Sequence, residues 1–98
     1  MNIQAMMREA QKLQKEMMKE KNEIDATEYE AESSFVKVKI NGKKEVLEIN
    51  IERDSLDKDD VEILQDILQV ALNEAMKKVD KDTEEKMGKY TKGMPGLF

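Results

Sequence analysis

The chain has 98 residues, a formal net charge of −5, 40% charged residues and only 4% aromatics, and it contains no Cys and no His. A chain this short supports one domain that buries roughly 60–70% of its unfolded surface, with little room for an enclosed catalytic cavity. The missing residue types exclude disulfides, thiol nucleophiles and the best metal ligands, and no apolar run approaches the ~18–20 residues of a membrane span.

The first segment, Asn2 to about Ile24, reads as one helix. Ile3, Ala10, Met17 and Ile24 recur every seven residues, with Met6 and Leu13 as the companion series and Glu20 interrupting it. That is a short heptad seam, so the helix meets a neighbour along one edge. At 100° per residue, Arg8, Lys12, Lys15 and Lys19 fall within about 60° of one another, almost opposite the seam. Gln4 and Gln11 border them on one side, and Glu9, Glu16, Glu20 and Glu23 lie on the other. The charged N-terminal helix is unlike a signal peptide, so a cytoplasmic protein is expected.

Over residues 27–51 the period changes to two, predicting three antiparallel strands. Folding the first pair at Ser33-Ser34 sets Tyr29 against Val38, Ala31 against Val36, Glu30 against Lys37 and Glu28 against Lys39. Apolar then meets apolar and acid meets base, as cross-strand energetics prefer. Asn41-Gly42 signals a second hairpin, of two residues or more. The third strand, Lys44 to Ile51, sets Leu47, Ile49 and Ile51 on one face.

Acids at Asp57, Asp59 and Asp60 suit the N-terminus of a second helix over 58–87. Val61, Leu64, Leu68, Ala71, Leu72, Ala75 and Val79 form its main apolar face, and Ile63 and Val70 widen it. This stripe is broader than one sheet face needs, which predicts a second subunit against the helix and hence a homodimer. Past Val79 the helix turns polar and is expected to project into solvent. Gly88 is the expected C-cap, with residues 88–98 as a flexible tail. The whole of 1–98 is then a single α+β domain.

Catalysis is poorly supplied. Ser33, Ser34 and Ser55 fall in turns, where hydroxyls serve local hydrogen bonds. There is no P-loop, dinucleotide fingerprint or zinc spacing. The Asp57–Glu62 acids lack the spacing of a calcium loop. No catalytic residue, metal ligand, cofactor or small-molecule substrate is expected. The basic edge has two readings. One is a solvated face laced with ion pairs such as Lys12 with Glu16. The other is phosphate contact, with neighbouring Gln reaching sugar, phosphate or base edges. The methionines likewise divide: Met6 and Met17 as core, Met7 and Met18 as core or as an adaptable partner surface.

Taken together, Met6-Met7-Arg8-Glu9-Ala10-Gln11-Lys12-Leu13-Gln14, Val36-Lys37-Val38-Lys39-Ile40-Asn41-Gly42, the Leu64–Ala75 helix and the ending Glu85-Lys86-Met87-Gly88-Lys89-Tyr90 resemble the YbaB/EbfC family of bacterial nucleoid-associated proteins over essentially the whole chain. The resemblance implies a tweezer-like homodimer with paired sheets and projecting helices, cytoplasmic and associated with the nucleoid. On that reading Val36, Val38, Ile40, Ile63 and Val70 lie at the dimer interface. It also implies binding to double-stranded DNA with little sequence preference, no enzyme activity, and recombination or replication proteins as further partners. Arg8, Lys12, Lys15 and Lys19 would contact phosphates, assisted by Gln4 and Gln11, with Lys86, Lys89 and Lys92 in second rank. The chain departs from the family pattern at Glu32-Ser33-Ser34-Phe35, where relatives carry several Gly, and at Arg53-Asp54-Ser55, where they often carry Asp-Pro.

Overall fold

A computed structural model describes residues 2–91. The order is α1 (Ile3–Ala26), β1 (Glu28–Ser33), β2 (Val36–Asn41), β3 (Val46–Ile51) and α2 (Asp60–Thr91), the expected α+β arrangement. Asn2 caps α1 by accepting from the Gln4 N–H at 3.1 Å. Thr27 closes it, donating its N–H to the Ile24 carbonyl at 3.0 Å and its hydroxyl to the Glu23 carbonyl at 2.6 Å. At the start of α2 the Asp57 N–H donates to Asp60 Oδ2 at 2.9 Å, while the Asp60 N–H donates to the Asp57 carbonyl at 3.1 Å. Two otherwise orphaned donors are satisfied reciprocally.

The sheet order is β1-β2-β3, all antiparallel. The first hairpin turns one residue later than expected, at Ser34-Phe35. Tyr29 therefore faces Ile40, Ala31 faces Val38, Glu30 faces Lys39 and Glu32 faces Lys37. Ser34 takes φ 51°, the positive value that a tight hairpin asks of its first central residue. Each partner moves by two positions, which preserves the pleat and keeps apolar against apolar. Phe35 leaves the strand, and the Arg53 guanidinium lies 4.0 Å from its ring centroid.

The second hairpin is the longer alternative. Lys44 carries the positive φ, 64°. Asn41 Oδ1 accepts from the Lys43 N–H at 2.9 Å and the Glu45 N–H at 3.0 Å. A register shift between Lys39 and Ile40 sets Val46 opposite Ile40 and Glu48 opposite Lys39. Leu47 is thus the extra residue of a bulge, and Val46, Ile49 and Ile51 share the inner face, where Leu47 had been expected.

The core lies between this inner face and α2. Ala31, Val36, Val38, Ile40, Ala71, Ala75 and Val79 are buried, with Leu64, Ile67, Leu68, Leu72 and Met76 packed around them. Val36, Val38 and Ile40 are at most 1% exposed in the single chain. They belong to the subunit core rather than to the expected dimer interface, because the chain's own helix covers the central strand. Ile63 and Val70 stay open, at 49% and 51% exposure.

Two expectations for the end of α2 change. The helix continues through Gly88 to Thr91, and beyond Val79 it does not stand alone. Met87 and Tyr90 bury themselves against Ile24, with Met17 packed alongside. That apolar contact holds the helix together past the glycine. The rest of the expected tail, from Lys92 onward, lies outside the described residues.

Candidate nucleic-acid interface

The seam that Met17 and Ile24 press onto α2 fixes the rotation of α1, so the opposite face looks away from the body. Arg8, Lys12, Lys15 and Lys19 are all exposed there, as are Gln4 and Gln11. Gln11, Lys15 and Lys19 line one continuous trough together with Gln14, Met18 and Asn22. From Arg8 to Lys19 the edge runs about 16 Å along the helix, the axial length of roughly five base pairs.

Among the described residues, none of the four cations makes an ion pair, including the Lys12–Glu16 pair that the spacing allowed. Other cations are engaged: Lys21 with Asp25, Lys37 with Glu52, Lys44 with Asp80 and Arg53 with Asp60. Lys39 sits among Glu28, Glu30 and Glu48 at 3.6–4.0 Å. These carboxylates, Glu28 foremost, raise its pKa.

The second-rank candidates stand differently. Lys86 Nζ is 3.0 Å from Asp82. Lys89 Nζ is 3.4 Å from Glu20 and 5.0 Å from the Tyr90 ring centroid. Lys86 is thus paired within α2 and Lys89 links α2 to α1, and Lys92 lies outside the described residues. The outer face of the sheet, with Glu28, Glu30, Glu32, Glu48 and Glu52 against Lys37 and Lys39, is acidic and repels a polyanion.

Among the described residues no group of three or more acidic side chains is arranged to hold a metal ion. Asp60 instead serves Arg53 at 3.1 Å and the helix cap. No helix there is long and apolar enough to cross a membrane.

One apolar surface escaped the sequence reading. α2 packs on β1 and β2 but not on β3. Val46, Ile49 and Ile51 therefore remain 47%, 45% and 37% exposed on the inner face. The available signal was a strand apolar on both faces, which a one-sided edge strand does not need.

The slender α+β subunit thus carries on α1 a row of four exposed cations that form no ion pair among the described residues. The chain belongs to the YbaB/EbfC DNA-binding family, whose sequence profile matches residues 1–94; this is a family of nucleoid-associated DNA-binding proteins rather than of enzymes. It is 46% identical to a nucleoid-associated protein of Ligilactobacillus salivarius, covering 99% of this chain and 95% of that one. It is 48% identical to a nucleoid-associated protein of Clostridium novyi, covering 100% and 90%. A crystal structure of an uncharacterized Helicobacter pylori protein superposes with a TM-score of 0.72 at 26% identity, over 87% of this chain and 91% of that one.

Proposed function

We propose that the protein binds double-stranded DNA as a homodimer with little sequence preference, in the bacterial nucleoid, where it affects nucleoid organisation or gene expression. The observation that carries this reading is the row Arg8, Lys12, Lys15 and Lys19. Among the described residues, four exposed cations on one helix edge lack the ion pairs that engage many lysines elsewhere. Each neutralised phosphate releases counterions, so cations free of internal partners are the effective ones. Gln4 and Gln11 flank them as hydrogen-bond donors. Nothing on the edge forms a dedicated base-reading module, which favours low specificity. Two copies in a dimer multiply a weak contact by avidity. Ile63 and Val70 with the uncovered face of β3 form the candidate dimer surface, and the unpaired edge of β3 suits pairing with its twin.

Fluorescence anisotropy on a labelled duplex of ~30 base pairs at several salt concentrations tests the reading, since phosphate contacts impose a steep salt slope. Binding should weaken steeply with salt and differ little for a scrambled duplex. Replacing Arg8 and Lys12 together by Glu should abolish it with the dimer intact. Unchanged affinity would remove those residues from the site.

The exposed Met6, Met7 and Met18, at 55%, 57% and 49%, favour a second reading: an adaptor for recombination or replication proteins, since such side chains suit adaptable contacts. A partner retained after nuclease treatment supports it, and loss of every partner argues against it.

A further inference from the structure

The basic row on α1 stops before the helix does. Ala26 lies about five full turns beyond Arg8, so it occupies the same angular position on the helix. The row would continue there, about 10 Å along the axis past Lys19, but Ala26 carries no charge. The second hairpin brings a lysine to this place. Lys43 is exposed and lines one hollow together with Asn22, Asp25, Ala26, Asn41 and Glu45.

The backbone of the hairpin is held in that position. The Lys43 N–H donates to Asn41 Oδ1 at 2.9 Å, and the Lys44 N–H closes the turn on the Asn41 carbonyl at 2.9 Å. Gly42 lies so close to α1 that an added Cβ would come within 2.9 Å of Asp25 Cα. The tip of the hairpin is therefore fixed against the end of the helix, which needs a residue without a side chain at the contact.

The charge on Lys43 is available. Outside α1, Lys43, Lys58 and Lys81 are the lysines whose side chains make neither an ion pair nor a hydrogen bond among the described residues. Lys58 sits between Asp57 and Asp59, and Lys81 between Asp80 and Asp82, so acids surround both. The two carboxylates in the hollow beside Lys43 are engaged elsewhere. Glu45 Oε1 accepts from Asn41 Nδ2 at 2.7 Å, and Asp25 Oδ2 lies 3.5 Å from Lys21 Nζ. The neighbouring Lys44 differs, with Asp80 at 2.8 Å from its ammonium.

We propose, resting on the DNA-binding reading above, that Lys43 is a further phosphate-contacting residue and that the second hairpin extends the DNA interface beyond α1. The edge from Arg8 to the level of Ala26 spans about 27 Å, the axial length of roughly eight base pairs. Asn22, exposed at the junction, adds a side-chain amide able to donate to phosphate or sugar.

The test is fluorescence anisotropy of the full-length protein on a labelled duplex of ~30 base pairs across a salt series. Lys43→Gln should weaken binding about fivefold at low salt and flatten the salt slope by about one for each copy that contacts the duplex. Lys43→Arg should keep the parent slope. Lys81→Gln removes the same charge from an exposed lysine on α2 and should leave the slope unchanged. A parent slope in Lys43→Gln, or an equal loss in Lys81→Gln, would overturn the role of Lys43 and leave the row on α1 standing. A parent that does not bind the duplex even at low salt would overturn both.

Discussion

The Tyr90 hydroxyl donates to Glu20 Oε2 at 2.8 Å, joining residues 70 positions apart. Glu20 is the polar residue that interrupts the heptad seam of α1, and this contact is where the seam meets the end of α2. The hydrogen bond from Tyr90, ahead of the nearby Lys89 charge, holds the Glu20 carboxyl below its usual range. The same bond raises the Tyr90 phenol above its own. The interruption is therefore a fastening point for the arm that carries the basic edge.

Tyr90→Phe keeps the ring in its pocket and removes this donor. Urea unfolding should show a lower midpoint with an unchanged slope, because compactness is kept while a hydrogen bond is lost. An unchanged midpoint would mean that the contact contributes nothing. Glu20→Gln should lie between the parent and Tyr90→Phe, since an amide oxygen still accepts.

Two glycines should respond in opposite directions. At Gly42 an added Cβ would press into the carbonyl of Ile24 and come within 2.9 Å of Asp25 Cα. The obstacle is backbone at the end of α1, so the hairpin must move. Gly42→Ala should cost about 2–3 kcal/mol by overpacking. Gly88 lies inside α2, and a Cβ there meets nothing within 4 Å. Gly88→Ala should stabilise by about 0.5–1 kcal/mol through the lower entropy of the unfolded chain. Denaturant midpoints of both variants against the parent decide the matter; equal signs would contradict one of the two accounts.

These glycines also show what the sequence could and could not tell. Helix and strand identities were legible because the apolar period changes cleanly from the Ile3–Ile24 heptads to the alternation of Tyr29 to Ile40. Gly42 was read as a turn former, but the structure needs it for close approach to α1, a tertiary fact. Gly88 reads locally as a helix end, and only the burial of Met87 and Tyr90 by Ile24 carries the helix through it. Ser33-Ser34 and Ser34-Phe35 both give sensible cross-strand pairs, so the register was open by two residues. The basic edge was legible from spacing alone. That its cations form no ion pair among the described residues was not, since Lys12 and Glu16 stand at a separation that also suits one.

The Tyr29 hydroxyl donates to Asp82 Oδ2 at 2.6 Å. Burial first, and then this carboxylate, push the phenol from 10.0 up to about 12. The folded chain thus holds the Tyr29 proton more tightly than the unfolded chain. The resulting stability is complete below pH 10.0 and is lost as pH rises through about 12. Urea midpoints followed from about pH 9 to about pH 12 should fall in the parent and fall less in Tyr29→Phe. Parallel curves would show that Tyr29 ionisation is not linked to folding.

The proposed dimer distinguishes apolar side chains by where they already lie. Ile63 and Val70 are about half exposed, whereas Val38 is 1% exposed between the sheet and α2. Ile63→Glu/Val70→Glu would place two carboxylates on the outer flank of α2. In a dimer that buries this flank they are desolvated without partners, which opposes association strongly. Light scattering should then give a single-chain mass, with the circular dichroism of the parent retained because the subunit core is untouched. Val38→Ala should act in the other way, costing about 2–3 kcal/mol of folding stability through the cavity it leaves, with the dimer persisting under native conditions. A single-chain mass for the parent at micromolar concentration would sink the dimer itself. A parent dimer that survives both glutamates would move the interface to the β3 edge alone.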